Sequence, residues 1–428
     1  MSVEMMRIVN PLPQRYLTEE AGIGGVIKAA PEDFLVEELP RYEPCGQGEH
    51  LYLRIEKCGV SHAELLGCLR RHFNVPERAI GFAGMKDKIA VTRQTVSIHL
   101  PQDPRDVDLG HDRIQVLWAT RHGNKIRRGH LAGNRFSIRI REVDPTKVMV
   151  VRRQLDRLER SGVPNYFGSQ RFGYRCNNHL IGAAVLTDDW PGMLSELLGT
   201  GGSPFPEYQR PRRELFDQGR FGDAAALWTP ADRNELVAVK ALRDGKSERN
   251  AGRSVGKSTL AFFVSALQSA VFNRVLDRRI EDGTLTTLVQ GDLAWKHDSR
   301  SVFPVTADEL AGGELPGRVE SLELSPSGPL WGPGMTRPGA AVAEAELEAL
   351  DAADVALDAL CSADLGRRQA ARRPLRVPLP NLQTDAGVDD RGSYIRVAFD
   401  LSRGAYATVV LRELMKTPAD QTHAFSDG

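Results

Sequence analysis

The chain has 428 residues, of which 41% are hydrophobic and 26% are charged, and its formal net charge at pH 7 is zero. This length exceeds the usual size of one hydrophobic core, and the composition is that of an ordinary globular protein, so we expect two domains. We expect no membrane span, because no run of about 18 apolar residues occurs. The first residues show no apolar leader, and the five cysteines include no CxxC pair. Both features favour a cytoplasmic protein with reduced thiols over a secreted or zinc-binding one.

The first part of the chain has the pattern of an α+β domain with a mixed or antiparallel sheet. Ser61 is followed by apolar residues at helical spacing up to Phe73, and Pro76 ends the pattern, so a helix is expected between them. A second, amphipathic helix is expected at 147–158. Strands are expected where polar and apolar residues alternate or β-branched residues cluster, at 25–28, 34–38, 50–57, 95–100 and 134–140.

A turn-like segment before the strand at 95–100 places one carboxylate, Asp87, between Lys86 and Lys88. Gly84 allows a sharp turn and a close approach of the backbone to a substrate. Nearby positive charge favours the ionised form of a carboxylate. The segment therefore predicts an anionic side chain that is presented to a substrate. The alternative is a solvated turn, because exposed charge pairs contribute little on their own.

Basic residues are concentrated in two places. Residues 121–141 contain seven Lys or Arg and no Asp or Glu. A second cluster consists of Arg367, Arg368, Arg372, Arg373 and Arg376, whereas acidic residues concentrate at 314–323 and 344–364. Charge that is segregated in this way can form a face that binds RNA phosphates. The alternative is a pair of solvated arginine-rich surfaces.

Residues 163–173 combine three aromatic side chains, two glycines, an arginine and two amides. Such a run suits a surface that stacks on planar groups and donates hydrogen bonds, and stacking of a base on an aromatic ring contributes about 1–3 kcal/mol. The alternative is an aromatic turn in the core of a domain, where most Phe and Tyr side chains lie.

From residue 163 onward, the pattern changes to helices joined by loops rich in Gly and Pro. Helices are expected at 261–280, 340–360 and 406–415, and a strand is expected at 393–401. Residues 252–258 look like a phosphate-binding P-loop, but three residues separate the glycines where four are needed, and no hydrophobic strand precedes them. Nucleotide binding is therefore not predicted. In the expected helices no histidine has a carboxylate at i,i+4, so no metal site is predicted.

The Asp87 segment and residues 163–173 together resemble, in order and separation, two motifs of the tRNA pseudouridine synthase D (TruD) family. The resemblance runs through most of the chain, and several ordered matches are far more specific than any one of them. The other segments that carry the resemblance are 32–38, 121–129, 133–136, 265–273 and 404–414.

The resemblance implies a fold in which an α-rich module is inserted into a pseudouridine synthase catalytic domain. The catalytic domain is expected at 1–160 and again at 381–416, with the inserted module at 161–380 and a tail at 417–428. Local periodicity does not indicate that residues 381–416 rejoin the first part of the chain. That expectation comes from the resemblance.

The resemblance assigns the catalytic role to Asp87 alone and implies no cofactor. Phe136 matches the family's aromatic residue at the uracil, and Asn134 matches its amide that contacts the substrate. Phe34 and Phe399 match the other substrate-site positions, and Lys86 is expected to hold or neutralise Asp87. The alternative for each phenylalanine is core packing in a strand. The residues expected to contact RNA are Arg121, Lys125, Arg127, Arg128, Asn165, Tyr166, Gln170, Arg171 and Phe172.

In the implied reaction, the N1–C1′ bond of a uridine breaks, and the base turns and is rejoined through C5. An ionised carboxylate could attack or stabilise C1′, as in glycosidases, or remove a proton from C2′. The implied substrate is uridine-13 of tRNA, with no obligate protein partner. One alternative is a hydrolytic N-glycosidase, which would need a second carboxylate. Another is a catalytically inactive RNA-binding protein, which the intact Lys86–Asp87 pair disfavours.

Overall fold

The computed structural model describes residues 10–362 and 370–417, and the chain divides into two compact units. The sheet unit consists of Leu17–Val163 and Val377–Gly428, and the helical unit consists of Met1–Tyr16 and Pro164–Arg376. The expected boundaries at 160 and 380 differ from these junctions by a few residues, and residues 10–16 group with the helical unit. The assignment of catalytic and inserted domains stays a prediction, and the expected tail lies outside the described residues from position 418 onward.

Both units contain strands and helices. The strands are, in chain order, β1 Phe34–Pro40, β2 His50–Cys58, β3 Ile80–Phe82, β4 Val91–His99, β5 Ile114–His122, β6 Leu131–Arg141, β7 Val163–Pro164, β8 Leu293–Lys296, β9 Val302–Pro304, β10 Leu324–Leu330, β11 Ala371–Pro374, β12 Arg376–Val377, β13 Gln383–Asp389 and β14 Gly392–Ser402. The α-helices are α1 His62–Phe73, α2 Val148–Ser161, α3 Asn178–Leu186, α4 Trp190–Leu198, α5 Arg210–Asp217, α6 Phe221–Leu227, α7 Arg233–Arg243, α8 Glu248–Arg253, α9 Lys257–Glu281, α10 Ala307–Ala311, α11 Glu314–Glu320, α12 Ala340–Asp351, α13 Leu357–Ser362 and α14 Ala407–Met415.

The sheet unit is organised around one mixed sheet with the strand order β13-β14-β6-β1-β4-β2-β5, and β3 pairs with β4. The pair β1–β4 is parallel, and the other pairs are antiparallel. In β14, which lies far along the chain, Phe399 is opposite Phe136 of β6. The predicted α+β fold with a mixed sheet is confirmed. The pairing of β14 with β6 places two strands that are far apart in the chain side by side in one sheet.

The first helix forms where the sequence predicts it. The Ser61 side chain accepts a hydrogen bond from the Glu64 backbone N–H at 3.1 Å, and the Glu64 carboxylate accepts one from the Ser61 backbone N–H at 2.8 Å. This capping box satisfies backbone donors that the first turn leaves unpaired. The apolar face, which includes Leu65, Leu69 and Phe73, is buried in the core against β2 and β4.

Several predicted elements were wrong in extent or in kind. Residues 25–28 form no strand, because only an isolated bridge joins Val26 to Arg141. The helix expected at 340–360 is interrupted, and α12 ends at Asp351. Strand β4 begins at Val91, before the expected start at 95, so the Asp87 loop is short. The sequence did not indicate β5, which is an edge strand with many exposed residues and therefore lacks a clear apolar alternation.

Helix α9 is the buried centre of the helical unit. A Cβ atom at Gly182 of α3 would lie 2.2 Å from the carbonyl oxygen of Phe263 in α9, so the two helices cross closely only because residue 182 is glycine. The P-loop-like glycine Gly252 lies in α8, and a Cβ there would lie 2.5 Å from the Trp190 ring. The glycine at 252 therefore serves helix packing.

One helix among the described residues, Lys257–Glu281, is long and apolar enough to cross a membrane by length and composition. In its most apolar 18-residue window, 72% of the residues are buried inside the protein. Such burial is typical of a core helix, and the same apolar residues that raise its hydropathy pack against α3 and β10.

Candidate active site

Asp87 lies in an irregular loop of the sheet unit between β3 and β4, and residues 84–87 belong to neither helix nor strand. The Asp87 side chain is 36% exposed, and one of its carboxylate oxygens lies 3.1 Å from the Nζ atom of Lys28. The Lys28 side chain is almost fully buried, with 8% exposure. A carboxylate that is reachable from solvent and held by one ammonium group can interact with a substrate.

Lys28 is a site residue that the sequence did not reveal. Its backbone has a φ angle of 58°, in the left-handed region that non-glycine residues seldom adopt. Its Nζ atom lies 4.9 Å from the centre of the Phe34 ring, which is a cation–π distance. The ion pair joins residues 59 positions apart, so no local pattern could reveal it. The preceding pair Gly24 and Gly25 indicated only a turn in the backbone.

Lys86 occupies a different place from the one we expected. Its ammonium group donates to the Oδ1 atom of Asn134 and lies 3.5 Å from a carboxylate oxygen of Glu38. Burial lowers the pKa of Lys86, which Glu38 opposes, and burial raises the pKa of Glu38, which Lys86 opposes. The cation that pairs with Asp87 is therefore Lys28, and Lys86 links the loop to the sheet.

The position of Asn134 follows from the strand register. Glu38 of β1 lies opposite Asn134 of β6, so the two side chains project from the same face of the sheet. Lys86 bridges them from the loop. This arrangement fixes the amide orientation of Asn134, because its carbonyl oxygen accepts from an ammonium group and its N–H groups point elsewhere.

Three phenylalanines, Phe34, Phe136 and Phe399, come from β1, β6 and β14 and form one aromatic cluster. The ring centres of Phe34 and Phe136 are 6.3 Å apart in an edge-on arrangement, and those of Phe136 and Phe399 are 5.6 Å apart. Phe399 is fully buried, and Phe136 is the most accessible of the three at 8% exposure. Lys28 lies between this cluster and Asp87, so Asp87 and the three phenylalanines are connected by one chain of contacts.

The basic segment at 121–128 contains partly buried side chains that bond to the sheet unit and exposed side chains. Arg121 pairs with Asp103 and donates to the Leu100 carbonyl, and Lys125 donates to the Arg78 carbonyl. The side chains of Arg127 and Arg128 are exposed. Arg128 also lies over the Phe82 ring at 5.6 Å.

Much of the 163–173 segment lies in the core of the helical unit. The Tyr166 hydroxyl donates to Asp277 at 2.6 Å, the Asn165 amide donates to the Pro374 carbonyl at 2.8 Å, and Phe172 packs edge-on against His179. Asn165, Tyr166 and Phe172 are all buried. For these three residues the position is that of an aromatic core turn, which was the alternative interpretation.

Of the residues of this segment that were predicted to contact RNA, Gln170 is exposed and Arg171 is partly buried. The Arg171 guanidinium lies 5.3 Å from the Phe167 ring and 5.5 Å from the ring of Phe262, a residue that is 39% exposed. Gln170 and Arg171 are thus the predicted RNA-contact residues of this segment that stay accessible.

The described members of the second arginine cluster, Arg372, Arg373 and Arg376, do not form a basic face. Arg372 forms a buried ion pair with Glu346, with 3% and 1% of the two side chains exposed, and Arg376 is buried as well. The Arg373 guanidinium lies 4.3 Å from the Phe167 ring. Arg367 and Arg368 lie outside the described residues. Arginines that pair with internal carboxylates or donate to internal carbonyls are not available to phosphates.

Within residues 10–362 and 370–417, no three His, Cys, Asp or Glu side chains are grouped so that they could hold a metal ion.

Comparison with known proteins relates the whole chain to one family. The family model for tRNA pseudouridine synthase D (TruD) matches residues 13–414. The chain is 43% identical to the tRNA pseudouridine synthase D of Geobacter sulfurreducens, over 95% of this chain and 98% of the relative. It is 40% identical to that of Syntrophotalea carbinolica, over 94% and 99% of the two chains. A crystal structure assigned to tRNA pseudouridine synthase D from Methanosarcina mazei superposes with a TM-score of 0.81 at 26% identity, covering 97% and 99%.

Proposed function

Since the chain belongs to the tRNA pseudouridine synthase D (TruD) family, we propose that it isomerises uridine-13 of tRNA to pseudouridine with Asp87 as the catalytic carboxylate. The reaction needs no cofactor, and the substrate is tRNA in the cytoplasm. The observation that carries the proposal is the partly exposed carboxylate of Asp87, held 3.1 Å from Lys28, whose ammonium lies 4.9 Å from the first ring of the phenylalanine cluster.

Asp87 supplies negative charge where the sugar becomes electron-poor. Breaking the N1–C1′ bond leaves an oxocarbenium-like C1′, which an ionised carboxylate stabilises or attacks, as in retaining glycosidases. Removal of the C2′ proton by the same carboxylate is the other route. Lys28 keeps the carboxylate paired before the substrate arrives, and the ion pair opens when the ribose takes its place.

The detached uracil has to stay in the site while it turns. A flat apolar surface retains the base without fixing its orientation, and we propose that Phe136 provides this surface, with Phe34 and Phe399 behind it. The amide of Asn134 is held by Lys86 and offers its N–H groups to a carbonyl of the base. No second carboxylate is paired with Asp87 in its described surroundings, where a hydrolytic N-glycosidase would place one.

The uridine must leave the RNA stack, which costs a few kcal/mol. Contacts between phosphates and the exposed Arg127 and Arg128 offset this cost. In the helical unit, Gln170 and Arg171 are the residues of the 163–173 segment that we propose for RNA contact. The catalytic domain is then the sheet unit, and the helical unit is the inserted module.

The test is to map pseudouridine by carbodiimide labelling in tRNA from cells that carry the gene, lack it, or carry Asp87→Asn. We expect the pseudouridine at position 13 to disappear without the gene and to stay absent with Asp87→Asn, while other positions are unchanged. Loss at a different position would refute the assignment of uridine-13. Restoration of the modification by Asp87→Asn would refute the catalytic role of Asp87.

A further inference from the structure

We infer that Lys57 is a positioning residue that fixes the main chain of the Asp87 loop for catalysis, an inference that rests on the proposed role of Asp87. The Nζ atom of Lys57 donates to the Asp87 carbonyl oxygen at 2.9 Å and to the Val60 carbonyl oxygen at 2.6 Å. The Lys57 residue has no solvent exposure. Its ammonium group is thus a buried cation whose hydrogen bonds go to two main-chain carbonyls, one of them that of the catalytic residue.

The two ends of the loop are held by main-chain hydrogen bonds, from the Gly129 N–H to the Ala83 carbonyl at 2.8 Å and from the Gly59 N–H to the Ala90 carbonyl at 3.3 Å, and Lys57 supports the stretch between them. Residues 84–87 lie outside helices and strands, and a Cβ atom at Gly84 would meet only the tip of Lys86 within 4 Å. Lys86 and Lys28 hold the loop through side chains. A hydrogen bond to the Asp87 carbonyl fixes the position of the Asp87 main chain, and therefore the direction from which the carboxylate approaches the ribose.

The contact with Lys57 differs in kind from the ion pair with Lys28. Lys28 binds the reacting carboxylate, so this bond must open when Asp87 turns to C1′ or C2′ of the substrate. Lys57 binds the main-chain carbonyl and does not compete with the substrate for the carboxylate. The main chain can therefore stay fixed throughout the reaction while the side chain changes partners.

Lys57 comes from a rigid part of the fold. It lies in β2, opposite Thr92 of β4, and both strands are in the interior of the sheet. A functional group that is carried by a central strand is held more accurately than one carried by a loop. Through its hydrogen bond to the Asp87 carbonyl, Lys57 thus attaches the irregular loop to a central strand of the sheet.

Burial of an ammonium group carries a cost in stability, so packing alone does not account for a lysine in this position. Moving a charged group out of water costs several kcal/mol even after relaxation of the protein. Burial is the main cause that lowers the pKa of Lys57 to about 8. The positive charge of Lys86 lowers this pKa further. The negative charges of Asp87 and Glu64 raise it, and Cys58 raises it slightly. His62 is a further titratable neighbour, because the positive charge of Lys57 helps to lower the pKa of the His62 ring.

The experiment compares Lys57→Met with Ile55→Ala in the full-length protein. Methionine fills similar volume without donors, and Ile55 is a fully buried residue of the same strand that belongs to the core cluster beneath α1. We measure hydrogen exchange of peptides that cover residues 83–90, together with kcat, KM and the melting temperature. With Lys57→Met we expect exchange about 10-fold faster in these peptides, and kcat lower by about 10- to 100-fold with KM within about 3-fold of the wild type.

Ile55→Ala is expected to lower the melting temperature without changing exchange at 83–90 or kcat. Unchanged exchange in Lys57→Met would overturn the inference, as would faster exchange with an unchanged kcat. A kcat loss in Ile55→Ala as large as in Lys57→Met would also overturn it, because the effect would then follow stability. The exchange measurement does not depend on activity. Failure of Asp87→Asn to abolish the modification would instead refute the proposed function.

Discussion

At the scale of single residues, the lysines that neighbour Asp87 in the sequence are not the ones that pair with its carboxylate. Lys86 and Lys88 flank Asp87 in the chain, yet the cation 3.1 Å from the carboxylate is Lys28. Lys86 pairs with Glu38 and Asn134 because the loop turns its side chain toward the sheet. A partner 59 positions away can be found only when the chain has folded.

The role of Lys28 can be tested by Lys28→Met. The change removes the counter-ion of Asp87 and the cation over Phe34, so we expect kcat to fall by about 10- to 100-fold, which corresponds to about 1.4–2.7 kcal/mol of transition-state stabilisation. The free energy of unfolding should change by less than about 1 kcal/mol, because the carboxylate is partly exposed. Single-turnover kinetics and chemical denaturation provide the two measurements.

The control for this change is Arg70→Met, which removes an ion pair with Glu77 whose side chains are 52% and 65% exposed in the same unit. We expect it to leave kcat within about 2-fold of the wild type, since exposed pairs contribute little. An equal loss of activity in both variants would show that the effect of Lys28 is a general effect of charge.

At the scale of secondary-structure elements, strand register brings the substrate-site residues together. Alternation along β6 places Asn134 and Phe136 on one face, and pairing with β1 and β14 adds Glu38 and Phe399 to it. Shifting either pairing by one residue would turn these side chains to the opposite face. The helix α1 packs on the core formed by β2 and β4 and so supports the strand that carries Lys57.

The stability of α1 depends on its capping box, which Ser61→Ala removes. We expect the free energy of unfolding of the protein to fall by about 1 kcal/mol, because the hydrogen bond from the Glu64 backbone N–H to the Ser61 hydroxyl is lost, while the Ser61 backbone N–H keeps its Glu64 acceptor. Ser61→Asp should retain most of this stability, since aspartate also accepts from the N3 backbone N–H. Denaturant titration measures both variants, and an Ala variant as stable as the Asp variant would contradict the prediction.

At the scale of the whole molecule, a net charge of zero conceals how the charges are used. Arg372 pairs with a buried carboxylate, and Arg121 pairs with Asp103. Arg127 and Arg128 are exposed at the end of the basic segment. Clusters that look alike in the sequence therefore divide into arginines that pair with carboxylates of this chain and cations that stay exposed, and exposed cations are the ones that can release counter-ions from RNA.

The double variant Arg127→Ala/Arg128→Ala tests this division. We expect tRNA to bind more weakly, and the slope of log K against log salt concentration to become shallower by about two units, one for each lost phosphate contact. The value of kcat at saturating tRNA should stay within about 3-fold of the wild type. Filter binding across a salt series measures the slope.

Arg105→Ala is the matched control, because Arg105 is also exposed in the sheet unit but lies outside the basic segment. It should leave affinity and salt dependence unchanged. If Arg105→Ala weakens binding as much per residue as the double variant, the interaction follows overall charge and the proposed contacts at 127 and 128 are wrong.

The sequence by itself determined what depends on neighbouring residues. The capped helix α1 and most strands of the sheet follow from local periodicity and were predicted. The loop that carries Asp87 and the family could also be recognised, because motifs retain their order along the chain. Edge strand β5 was missed because its exposed residues lack a regular apolar pattern.

Only the tertiary structure decided which residues meet. Lys28 and Lys57 reach Asp87 across the sheet, and Phe399 reaches Phe136 through the pairing of β14 with β6. Burial likewise decided that Tyr166 is a core residue, although its sequence surroundings suit RNA stacking equally well. The physical reason is that ion pairing, burial and strand register depend on distances between residues remote in the chain, and local residue patterns carry no information about those distances.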